Sequence, residues 1–153
     1  IEIISRSKRS STDKAKSEIA LFEFILKTNY DIIVFIQATN IFITSKDIDA
    51  ALTKFVKYRY DSMLSVTSFD RFIWEKNNNF LTPVNYNYKK RPRRQDMKKY
   101  FLENGSFYIF YKQGFLKYQN RLHKNIGHYE MNKKSIFEID DIEDLKIVKK
   151  LYT

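Results

Sequence analysis

Ile32–Thr67 reads IIVFIQATNIFITSKDIDAALTKFVKYRYDSMLSVT, and the order of its parts decides the fold. Ile32–Ile36 is an unbroken β-branched and aromatic run, the mark of a strand buried on both faces. It gives way to Gln37-Ala38-Thr39-Asn40, a polar turn at the strand's C-terminal end, where open α/β sheets place ligands. Thr44 or Ser45 caps the next segment, with Asp47 as its acidic first turn. Ile48, Ala51, Leu52, Phe55 and Val56 then recur at helical spacing. Ser62–Thr67 returns to strand composition.

Working outward, Ile1–Ile4 reads as a short strand and Ser5–Ser11 as a polar, basic loop. Thr12-Asp13 offers an N-cap for a helix carrying Ile19, Leu21, Phe22, Ile25 and Leu26, ending near Thr28-Asn29. Strand, helix, strand, helix, strand is the rhythm of an α/β domain, a mainly parallel sheet with helices on both faces. Beyond it, Ser68–Tyr88 suits a projecting hairpin turning at Asn77-Asn78-Asn79. Phe107–Tyr111 reads as a strand, Gln113–Tyr118 as a short helix, and His128–Met131 and Ile136–Ile139 as short strands. Ile142–Leu151 reads as a terminal helix with Leu145, Val148 and Tyr152 on one face.

The chain of 153 residues is one domain, long enough to bury a core. It carries 28 Lys and Arg against 18 Asp and Glu, a net charge of +10, which favours a polyanion or an anionic substrate without choosing between them. It has no cysteine, which excludes disulfides, thiolate metal sites and a cysteine nucleophile. Its apolar runs are short and interrupted by charge, so neither a transmembrane helix nor a signal peptide is expected. The chain opens at Ile1, without Met, directly into strand-like sequence, as a fragment or a chain lacking its true beginning would. His123 and His128 stand alone without ligand spacing, and Ser10-Ser11-Thr12 reads as a cap, not a nucleophile.

Lys89–Tyr108, KKRPRRQDMKKYFLENGSFY, concentrates the candidate chemistry. Lys89, Lys90, Arg91, Arg93 and Arg94 crowd around Pro92, and guanidinium groups clamp phosphate or carboxylate oxygens bidentately. Asn104 offers an amide, and Gly105 allows close backbone approach or a positive φ. The plain alternative is a solvated basic loop, a nucleic-acid patch or a nuclear-localisation signal. A second constellation is Glu138-Ile139-Asp140-Asp141-Ile142-Glu143-Asp144. On a strand, Glu138 and Asp140 point to one side, and two such carboxylates suit Mg²⁺. The alternative is the acidic first turn of the last helix, which fits Asp141, Glu143 and Asp144 better.

The runs Arg91-Pro92-Arg93-Arg94-Gln95-Asp96 and Glu103-Asn104-Gly105-Ser106-Phe107-Tyr108, with Tyr60-Asp61-Ser62, Ser65-Val66 and Trp74, resemble the CMP-sialic acid synthetases, or N-acylneuraminate cytidylyltransferases, of animals. The resemblance runs from Ile1 to about Tyr152. It implies a Rossmann-like nucleotidyltransferase fold whose projecting arm, at about 69–99, makes a homodimer or a dimer of dimers. It implies a reaction in which a sialic-type sugar acid attacks the α-phosphate of CTP and releases pyrophosphate. Such chemistry asks for positioning and charge neutralisation.

On this resemblance Gln37 and Thr39 contact the sugar, and Asn104, Phe107 and Tyr108 line its pocket, with core packing as the alternative for the two rings. Arg94 and Gln95 match the family's Arg-Gln pair, whose Arg faces the active site across the dimer, Arg91 assists by charge, and Glu138 and Asp140 hold Mg²⁺. A Glu stands where the family carries the first Asp of an Asp-Ile-Asp motif. Two further departures stand out. The family's first βα unit, with its Gly-Ser-Lys loop, has no counterpart, and the family's Gln-x-Thr-Ser-Pro turn has become Gln37-Ala38-Thr39-Asn40-Ile41. The expectation is that these 153 residues alone lack turnover. The other functions weighed are a nucleic-acid-binding domain, which the Glu138–Asp144 cluster argues against, and a non-catalytic dimerisation module. The resemblance implies no membrane partner and a cytoplasmic or nuclear setting.

Overall fold

A computed structural model describes residues 3–152. Its centre is a four-stranded sheet in the order β1-β5-β2-β6. The strands are β1 (Ile32–Ile36), β2 (Ser62–Phe69), β5 (Tyr100–Tyr111) and β6 (Ile126–Glu130). β2 and β6 pair in parallel, and β5 runs antiparallel to both β1 and β2. Three strands thus share one direction, and β5, the longest, runs against them down the middle. The sequence expectation of a mainly parallel sheet holds for strand direction, with β5 as the inserted exception.

Alternation along β5 sends its side chains into two cores. Tyr108 and Phe110 join Ile33, with Leu21 and Ile25 of α1 (Ser17–Leu26) and Phe115 of α3 (Lys112–Tyr118). Phe107 and Ile109 join Met63 and Met131, with Ala51 and Phe55 of α2 (Ser45–Lys57) on the opposite face. Helices therefore cover both faces, as expected. α2 starts where its sequence says: Thr44 and Asp47 form a reciprocal capping box. α1 starts later than Thr12-Asp13; its N-cap is Lys16, which makes no side-chain cap. The serines upstream are engaged elsewhere, since Ser7 and Ser10 hydroxyls both donate to the Glu23 carboxylate.

Three further expectations are corrected. Ile1 and Glu2 lie outside the described residues, and residues 3–6 form no strand. Ile136–Ile139 is not a strand: a 3₁₀ turn at Lys133–Ile136 leads into irregular chain before α4 (Ile142–Tyr152). β5 begins at Tyr100, not Phe107, because its first residues pair with the end of β2. On α4, Val148 is buried as its spacing requires.

Between Phe69 and Tyr100, themselves paired, the chain leaves the sheet. The excursion holds a hairpin of β3 (Trp74–Asn77) and β4 (Phe80–Pro83), with Asn78 at positive φ in the turn. Asn85 ties the hairpin base, accepting from Ile73 N–H and donating to Arg71 O. Phe72 and Trp74 both pack on Tyr86, while Phe80 and Leu81 stay 77% and 64% exposed.

His123 belongs to the core. Its Nδ1 lies 3.1 Å from Asn120 O, and its Nε2 occupies the space a Cβ on Gly114 would need, 2.0 Å from that position. Gly114→Ala should therefore cost about 1–3 kcal/mol of stability, read as a lower urea midpoint with an unchanged slope.

Candidate active site at the β5 bulge

Three segments meet at the C-terminal end of β1: the turn at Gln37–Asn40, the middle of β5, and the chain at Glu138–Asp140. Gln37 N–H donates to Ser106 O at 3.0 Å, and Ile139 N–H donates to Thr39 O at 2.9 Å. The meeting point is a bulge in β5. Between the pairs Leu64↔Tyr108 and Val66↔Glu103, β2 advances two residues while β5 advances five. The surplus bows out at Asn104-Gly105-Ser106, with Gly105 at φ +60°. The Ser65 hydroxyl takes over the missing ladder contact, accepting from Phe107 N–H at 2.9 Å. Bulges of this kind aim side chains beside active sites.

Gly105 is required for space as well as conformation. A Cβ there would lie 2.0 Å from a Glu138 carboxylate oxygen, so that carboxylate is seated against the bulge. Its pKa is pushed above the ordinary carboxylate range, first by burial and then by the negative charges of Asp140 and Glu103. The Tyr108 hydroxyl donates to Glu103. Burial first, and then that bond, hold the phenol protonated well above its usual pKa. Arg121 lies over the Tyr108 and Phe35 rings, 4.7 and 5.1 Å from their centroids, and is ion-paired to Glu18 at 2.7 Å.

Beneath the bulge is a buried amide knot. Asn40 donates to Asn104 O at 3.0 Å and to Ser135 O at 2.7 Å, and accepts from Phe42 N–H at 3.2 Å. The Asn104 side chain donates to the Ser135 hydroxyl at 2.7 Å, while its Oδ1 has no partner among the described residues. The turn that lacks the family's proline is thus held by the asparagine beside it.

The predicted site residues divide. Gln37, Thr39, Asn104, Tyr108, Glu138 and Asp140 come together. Asn104 and Phe107 are 2% and 0% exposed, so they support the bulge from inside. Arg91, Arg94 and Gln95 lie in the excursion, outside this cluster. Arg91 stacks on Phe72 at 4.1 Å and braces the hairpin, Arg93 makes a two-point ion pair with Asp96, and Arg94 and Gln95 are exposed. Ser135 and Arg121 escaped the sequence reading, which named Glu103 and Asn40 within their motifs but gave neither a role. An isolated glycine within a strand pattern is a bulge signal and would have pointed to Glu103.

Two carboxylates, of which Asp140 has no side-chain partner among the described residues, offer the oxygen donors that suit Mg²⁺ completed by water and phosphate. Among the described residues no set of three or more acidic or histidine side chains forms a metal cage of its own. The three glycines each face a side chain, Glu138, His123 or Tyr60, and none opens a phosphate-binding loop.

Two outcomes follow from this geometry. Asn40→Ala strips two buried carbonyls of their donor and should cost about 1–3 kcal/mol by chemical denaturation. Glu138 is harder to ionise folded than unfolded, so its contribution to stability is full below the usual pKa of 4.5 and is lost as pH rises through the raised folded value. Glu138→Gln should flatten that decline in a melting-temperature profile between acid and neutral pH.

Comparison with known proteins agrees with the architecture. A family described as Cytidylyltransferase matches residues 1–153. N-acylneuraminate cytidylyltransferase B of Danio rerio is 34% identical over 88% of this chain and 33% of its own length. N-acylneuraminate cytidylyltransferase A of the same fish is 34% identical over 91% and 33%. The Oncorhynchus mykiss N-acylneuraminate cytidylyltransferase is 34% identical over 71% and 26%. The chain thus spans about a third of the length of these relatives. The crystal structure of 4-diphosphocytidyl-2C-methyl-D-erythritol synthase from Anaerococcus prevotii shares the fold, with a TM-score of 0.61 and 9% identity over 92% of this chain and 68% of that one. No helix among the described residues is long and apolar enough to cross a membrane. The match over the full length of the chain places it in the cytidylyltransferase family.

Proposed function

We propose that the chain carries the sugar-acid side of an N-acylneuraminate cytidylyltransferase site, in which a sialic-type acid is joined to the cytidylyl group of CTP with release of pyrophosphate. The observation that carries this reading is 34% identity, over 88% and 91% of the chain, to two proteins of that name. The meeting of the Gln37–Asn40 turn, the β5 bulge and the Glu138–Asp140 carboxylates at one sheet end supports it. On this reading Gln37 and Thr39 orient the sugar. The Tyr108 hydroxyl gives its one proton to Glu103 and turns its oxygen, as an acceptor, to the sugar. Glu138 and Asp140 hold Mg²⁺, which when bound neutralises phosphate charge.

Arg94 and Gln95, exposed and with no side-chain hydrogen bond or ion pair among the described residues, reach the site of a second copy. The apolar tip at Phe80 and Leu81 makes that homodimer contact. None of the three glycines serves as a phosphate cradle, so we expect the isolated 153 residues to bind without turning over.

Pyrophosphate release by the chain with CTP, N-acetylneuraminate and Mg²⁺ should stay at background, and sustained turnover would refute that half of the proposal. Binding has its own readout. At a hundredfold excess over Kd, a ligand of the native state adds about 2.7 kcal/mol, or about 5–10 °C in Tm at this size. N-acetylneuraminate or Mg²⁺·CTP should produce such a shift, and Arg94→Ala should reduce it only where the chain is dimeric. A shift with single-stranded RNA and neither of these would replace the proposal with nucleic-acid binding.

A further inference from the structure

The loop after α3 delivers a guanidinium to the rim of the bulge cluster. Gln119 ends α3 in the left-handed region, at φ 51°. Asn120 ties the turn that follows, its Oδ1 accepting from Leu122 N–H at 2.9 Å. His123 is pinned to β2: its N–H donates to the Ser62 hydroxyl, which in turn donates to His123 O, both at 2.9 Å. Arg121 thus stands in a short segment fixed at both ends.

From there its side chain crosses to the C-terminal end of β1. The guanidinium lies 4.7 Å from the centroid of Tyr108 and 5.1 Å from that of Phe35, and those two rings stack on each other at 6.0 Å. Its Nε and Nη2 both donate to one oxygen of Glu18, at 2.8 and 2.7 Å. Glu18 lies in the first turn of α1, where the helix dipole also draws its charge. A guanidinium carries more N–H groups than this pair uses. The rest have no acceptor among the described residues. They are not among the atoms buried without a partner, so that edge is open to water on a side chain only 15% exposed.

Charge makes the open edge useful. Glu103, Glu138 and Asp140 gather negative charge at this end of the sheet, and it repels an arriving carboxylate. The positive charge of Arg121 is felt at Tyr108, whereas Arg91 and Arg93 are engaged within the excursion. A guanidinium fork matches the planar, two-oxygen shape of a carboxylate. Packing over two rings holds the fork in place, so little rotamer freedom is left to lose on binding. We infer that Arg121 receives the carboxylate of the sugar acid through the N–H groups that Glu18 leaves free, and so selects acids over neutral sugars. This deepens the proposed function and rests on it.

Calorimetric titration of the 153-residue chain with N-acetylneuraminate and with its methyl ester, which keeps the sugar and removes the negative charge, tests the assignment. The wild type should bind the acid at least about tenfold tighter than the ester. Arg121→Met keeps an unbranched side chain over the rings and should bring that ratio below about threefold, while Arg121→Lys should keep part of it. A residue that merely packs on Tyr108 would weaken acid and ester alike. Should Arg121→Met not fold, Glu18→Gln serves instead. It frees the guanidinium from its ion pair, so the acid should bind about two- to fivefold tighter with the ester unmoved. An unchanged ratio in Arg121→Met, or an unmoved acid affinity in Glu18→Gln, overturns this inference alone. So does a loss of Mg²⁺·CTP binding in Arg121→Met with the acid's preference intact, which would give the arginine to a phosphate. Binding of neither acid nor ester by the wild type overturns it together with the sugar-acid reading.

Discussion

The seat of the Glu138 carboxylate against Gly105 is the constraint on which the site depends. A strand held by neighbours on both sides has no freedom to bow, yet β5 bows between β1 and β2 because Gly105 takes a positive φ and Ser65 replaces the lost ladder bond. The space left by the absent side chain is where a carboxylate from a distant part of the chain arrives. Conformation and occupancy are therefore one requirement, and any β-carbon at that position disturbs both.

Around that seat the charges are arranged at a cost. Glu138, Asp140 and Glu103 repel one another in a partly dry setting, and the result is a carboxyl that ionises reluctantly. Either a cation or a proton there would relieve that repulsion. The amide knot below supplies the rigidity, since Asn40 joins the end of β1 to β5 and to the turn before Glu138 through buried hydrogen bonds. Buried polar links of this kind fix geometry because each would be expensive to leave unmade.

Much of the fold was legible in the sequence because period and composition agree locally. The α2 capping box, the apolar run of β1 and the triple asparagine of the hairpin each state their structure within a few residues. What escaped was whatever depends on distant partners. Nothing local to Ser7 and Ser10 says that their hydroxyls turn to Glu23. Ile136–Ile139 has strand composition, but a 3₁₀ turn takes Ile136 and a single bond ties Ile139 to Thr39, so no ladder forms. The site was legible as a set of motifs, while its geometry was not. The charged cluster at Arg91–Asp96 looked like the centre of the chemistry, yet within one chain Arg91 is spent on Phe72 and Arg93 on Asp96. The turn looked weakened by Ile41 in place of a proline, and Asn40 beside it supplies the bonds that hold it.

The excursion that departs at Phe69 and returns at Tyr100 begins and ends on two residues facing each other across one rung of the sheet. Its entry and exit points are thus fixed by the domain beneath, not by its own contents. Such a segment is insulated: it is free to lengthen, shorten or change its tip across a lineage without altering the alignment of β2 with β5. Its tip can then change on a different clock from the sheet end it sits beside.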